Sequence, residues 1–143
     1  MKNKKKGFTL VELIVVLAIL AILAAMLVPA LTGYIDKANA QKVVATTRQV
    51  VMAAQSEITE EYASKTTTNF TGDTITDTTS EAAPKKLFDD ICDLAEVKKD
   101  KNGVQSISIT YDTTGTVTSV IVVQNGKTCT YTNTASDGGY TVS

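Results

Sequence analysis

The sequence has no histidine and no tryptophan, only two prolines (Pro29 and Pro84) and two cysteines (Cys92 and Cys129), and 6% aromatic residues. Without histidine, the commonest general base and metal ligand are missing. No Gly-rich phosphate loop and no paired nucleophile and base take their place. Neither catalysis nor a cofactor is expected. Asp89, Asp93 and Glu96 fall on one face of a predicted helix, but calcium wants a loop that wraps its oxygens, so this spacing reads as solvated surface and no metal is expected. The adjacent Asp89 and Asp90 do not face each other on a helix and make no catalytic carboxylate pair.

A strong excess of either charge is also lacking, since the net charge is −1. Four of the 14 basic residues (Lys2, Lys4, Lys5 and Lys6) precede Gly7, so loss of residues 1–7 would leave 10 basic against 15 acidic side chains, a net −5. That balance disfavours nucleic-acid binding by bulk charge and leaves only a local basic patch open.

What is there is a long apolar run. Phe8 to Leu31 is nearly all apolar, and as a helix it would be about 36 Å long, enough to cross a hydrocarbon core of about 30 Å. The short basic segment before it, MKNKKKG, has no apolar stretch of its own and so differs from a secretory signal peptide. Its lysines predict a cytoplasmic N-terminus and a single-pass membrane protein with an extracytoplasmic C-terminal head. In 143 residues, little more than one small soluble domain can accompany this run.

Past Leu31, Ala40, Val44, Thr47, Val51, Ala54, Ile58 and Tyr62 recur at helical intervals. The helix is therefore expected to continue over 32–62 with one side buried. Residues 64–80 are dominated by Thr and Ser and read as a connection or irregular strand; Asn69 to Thr71 match a glycosylation sequon but are treated as loop. A second helix is predicted over 81–98, with Ser80 as N-cap or Pro84 in its first turn, and with Leu87, Phe88, Ile91, Leu94 and Ala95 on one face. Cys92 sits at the edge of that stripe. Strands follow at 104–111, 117–124 and 127–134, with a strong Asn125–Gly126 hairpin signal, and a last short strand is expected after Gly138 and Gly139. The run Val120 to Val123 suits a central strand covered on both sides. The fold class is α+β: a long N-terminal helix packed on a small antiparallel head, with 63–143 as the globular part. Cys92 and Cys129 could close a disulfide in an oxidising compartment or stay as two buried thiols.

Glu12 needs the most explanation, because a carboxylate inside a membrane span costs at least about 2.5 kcal/mol near its centre. It either snorkels to the interface or has a partner. Cleavage between Gly7 and Phe8 would create a cationic amine four residues before it, and a Glu12 carboxylate could then pair with the Phe8 amine of a neighbouring copy. Pro29 cannot donate an amide bond to the carbonyl of Ala25 and should loosen the helix there.

The segment GFTLVEL at 7–13, between a short basic leader and an apolar helix, is similar to the class III signal of type IV pilins. The resemblance is close over GFTLVELIVVLAILAILAAMLVPAL, and beyond about residue 62 only the general pattern is compatible. It implies a pilin fold, cleavage after Gly7 by a prepilin peptidase and N-methylation of Phe8. Glu12 would be the assembly glutamate and Pro29 a helix-melting point. It further implies homo-oligomerisation into a helical filament by an assembly ATPase and platform protein, and a cell-surface pilus serving adhesion, aggregation, motility or DNA uptake. A pseudopilin of a type II secretion or competence system shares the signature, but the tyrosine-proline motif frequent after the long helix of major pseudopilins is absent after Tyr62. A membrane-anchored binding module is the reading from a different class.

Overall fold

The computed structural model describes residues 7–64, 72–77, 82–98, 100–134 and 139–143. The leader lysines, the Asn69 sequon, the Ser80 cap and most of the Thr-rich connection lie outside the described residues. In chain order the elements are α1 (Leu10–Ser64), β1 (Asp73–Thr76), α2 (Ala82–Leu94), β2 (Val104–Tyr111), β3 (Val117–Gln124), β4 (Lys127–Thr132) and β5 (Tyr140–Val142). This is the expected α+β, pilin-like architecture. The chain divides into two compact units, Met1–Lys37 and Ala38–Ser143.

In the first unit, α1 runs from Leu10 with every described side chain up to Lys37 exposed. By length and composition this helix can cross a membrane. Pro29 lies within the helix without ending it. The missing amide takes one bond from the ladder, and the Thr32 hydroxyl donates to the Pro29 carbonyl at 2.9 Å.

In the second unit, the five strands form one antiparallel sheet in chain order, β1-β2-β3-β4-β5. Alternation decides which face is core: Ile107, Ile109 and Tyr111 point inward with Val120 and Val122, while Ser106, Ser108 and Thr110 point outward. Cys129 joins the core from β4, and Ile75 joins it from β1, which forms inside the segment read as a connection or irregular strand. The β3–β4 hairpin turns on Asn125 (φ 51°) and Gly126 (φ 73°), both left-handed as a two-residue type I′ turn requires.

Three expectations are corrected. The buried face of α1 centres on Val43, Val50, Ala53 and Ile58, so Val44 and Val51 lie on its flank. Strand β3 is central but covered on one side only, since Ile121 is 38% exposed. Helix α2 stops at Leu94, short of residue 98, and leaves Leu94 exposed. The stop is a Schellman turn: Val97 N–H donates to the Cys92 carbonyl at 2.9 Å and Glu96 N–H to Asp93 at 3.1 Å, with Glu96 in the left-handed region (φ 55°).

Polar bonds fasten the second-unit part of α1 to the sheet. The Gln55 side chain donates to the Gly115 carbonyl at 3.0 Å and accepts from Val117 N–H at 3.0 Å, closing the β2–β3 turn onto the helix. Arg48 sits 5.1 Å above the ring of Tyr140, a cation–π contact that holds the last strand.

Candidate functional site

The junction and its helix start form the first candidate. Gly7, Phe8 and Thr9 precede the helix, and Phe8 is 83% exposed. Among the described residues, no atom lies within 4 Å of a Cβ placed on Gly7. Helix α1 then starts on a reciprocal cap. Thr9 donates to Glu12 Oε2 from its backbone N–H and from its hydroxyl, both at 2.8 Å, and Glu12 N–H donates to Thr9 Oγ1 at 3.3 Å. This is a capping box, in which the threonine cap and the glutamate three residues on satisfy each other's donors. The positive end of the helix dipole also favours a carboxylate here.

The sequence reading gave Glu12 a cost in lipid and a partner in another copy, but not its bond to Thr9. The signal was present, because Thr9-x-x-Glu12 before an apolar run is the sequence mark of such a box. Within its own chain, Glu12 already has donors that offset part of its desolvation before any other copy approaches.

Pro29 lies on the same helix, seventeen positions beyond Glu12, and the two do not form one cluster. Cys92 and Cys129 are free thiols, both buried, where a disulfide was one of the two expectations. The topology accounts for this. Helix α2 packs over β1, while Cys129 lies on β4, three strands away at about 4.8 Å per strand. A bridge needs Cα atoms within about 7 Å. Burial, with Asp89 and Asp93 nearby, pushes the Cys92 thiol up to about 11.

Asp89 and Asp93 carry ion pairs, to Lys85 at 3.4 Å and Lys98 at 2.9 Å. Among the described residues, no three His, Cys, Asp or Glu side chains converge as metal ligands.

The model of the prokaryotic N-terminal methylation motif matches residues 2–28. Type IV major fimbrial protein FimA of Dichelobacter nodosus is 42% identical over 55 residues, which are 38% of this chain and 35% of that protein. Fimbrial protein Q of Moraxella bovis is 52% identical over 42 residues, 29% of this chain and 27% of its own length. Type II secretion system core protein G of Klebsiella michiganensis is 51% identical over 43 residues, 30% of each chain. The matches thus span about a third of the length of these curated relatives. No solved structure matches the chain. Over residues 2–28 the chain carries a prokaryotic N-terminal methylation motif, and part of its length is similar both to type IV fimbrial proteins and to a type II secretion protein.

Proposed function

We propose that this protein is a structural subunit of a type IV pilus, made as a membrane-anchored precursor and polymerised into a surface filament. The observation that carries the reading is the Gly7–Phe8 junction followed by the capped start of α1, whose apolar stretch from Leu10 to Leu31 is exposed throughout and contains one carboxylate, Glu12. A prepilin peptidase removes 1–7, and the new amine of Phe8 is methylated. The helix then exchanges lipid for the helices of other copies. Apolar contacts replace apolar contacts, so the net gain is small and an assembly ATPase with a platform protein supplies the work. The Phe8 amine of an incoming subunit pairs with Glu12 of its neighbour, which sets register as the helices pack. Loosening near Pro29 accompanies assembly.

The head supplies bulk and surface rather than chemistry, and adhesion, aggregation, motility or DNA uptake is exercised by the assembled filament. A second reading, a pseudopilin of a secretion or competence system, has specific support in the similarity to the secretion protein named above. Sheared surface fibres distinguish the two: long fibres containing this chain support the pilus, and its confinement to the envelope supports the pseudopilin. Glu12→Ala tests the shared mechanism, with loss of polymer expected and unchanged polymer counting against both readings.

A further inference from the structure

We infer that Thr9 is the positioning residue of Glu12: it holds one carboxylate oxygen so that the other is presented to the cationic amine of a neighbouring copy. This rests on the filament reading above. Both Thr9 donors end on the same atom, Glu12 Oε2, at 2.8 Å. Among the described residues no hydrogen bond reaches Oε1. The Glu12 amide returns a bond to Thr9 Oγ1, so the carboxylate is tied from both sides.

The box also lies wholly on the C-terminal side of the Gly7–Phe8 bond. A cut there leaves the Phe8–Thr9 amide intact, so the box survives processing while a charged amine appears one residue away. A carboxylate oxygen already fixed in direction loses less rotational freedom when an ammonium docks. The bond it then makes is charge-assisted, and therefore short and strong. Thr9 in this way serves twice, satisfying Glu12 while the subunit waits in lipid and aiming it when a second copy arrives.

The test uses the full chain in its own cells, as Thr9→Val, Thr9→Ser and Glu12→Ala. The quantity read is fibre protein per cleaved subunit, from peptides beginning at Phe8 in sheared and membrane fractions, so any effect on cleavage itself divides out. Thr9→Val keeps the shape and loses the hydroxyl, and should lower that ratio about five-fold, the scale of one lost cap. Thr9→Ser keeps the hydroxyl and should stay within about two-fold of the parent. A Thr9→Val ratio equal to the parent's, or a Thr9→Ser ratio as low as that of Thr9→Val, overturns the role of Thr9 while the loss in Glu12→Ala upholds the filament mechanism. An undiminished ratio in Glu12→Ala removes the filament mechanism itself, and this proposal with it.

Discussion

Thr46 on α1 donates its hydroxyl to Gln124 Oε1 on β3 at 2.9 Å inside the core, and the Gln124 amide in turn donates to the Asn102 carbonyl at 2.9 Å. Gln124 is 1% exposed and its bond from Thr46 is buried, so water does not replace that bond. This relay ties helix, strand and the loop before β2 together at one point, with Lys42 reaching the same Asn102 carbonyl at 3.0 Å.

Thr46→Val should therefore destabilise the head by about 1–3 kcal/mol, because it leaves a buried amide oxygen without a donor while preserving volume. Thr46→Ser should lose much less. Thermal unfolding of the two variants followed by circular dichroism checks the difference.

Glu96→Gly should be stabilising. Glu96 occupies the left-handed cap position of α2, where a side chain costs free energy that glycine does not. A gain of about 0.5–1 kcal/mol in chemical denaturation is expected, and a loss would mean that the Glu96 side chain contributes more than its backbone strain costs.

Both thiols should resist modification in the folded protein. Cys129 is fully buried, and Cys92 is 8% exposed with its thiol held near 11, so little thiolate exists at neutral pH. Maleimide labelling at pH 7.5 should be slow for the native chain and complete for two sites in urea. Mass under non-reducing conditions should show no internal bridge.

Asp112 gives the head an acid-side dependence of known sign. The Thr114 hydroxyl, and then the Thr116 amide, hold its carboxyl below the ordinary aspartate value of 3.8. A depressed carboxyl contributes stability that is present above the ordinary value and is lost as pH falls through the lowered one. Below about pH 4 the unfolding midpoint should drop in the parent, and Asp112→Asn should remove that part of the drop.

Much of the head was legible because period-two patterns are unambiguous when one face is Ser or Thr. The limits of β2 and β3 follow from Ile107, Ile109 and Tyr111 and from Asn125–Gly126. The register of α1 was less so. Val43 and Val44, like Val50 and Val51, are adjacent apolar pairs, and only the sheet decides which member is buried. The end of α2 was hidden because Glu96, not glycine, takes the left-handed position. At the N-terminus the junction is plain in the sequence, whereas the Thr9–Glu12 box is masked by the apolar run, in which a carboxylate reads first as a charge in lipid and not as a cap partner.

We propose that cleavage at Gly7–Phe8 releases a subunit whose capped helix builds a surface polymer. Electron microscopy and mass spectrometry of sheared cell-surface fibres test it most directly. Filaments in which this chain is abundant and begins at methylated Phe8 are the expected result. Fibres lacking the chain, together with a membrane pool that still begins at Met1, would contradict it.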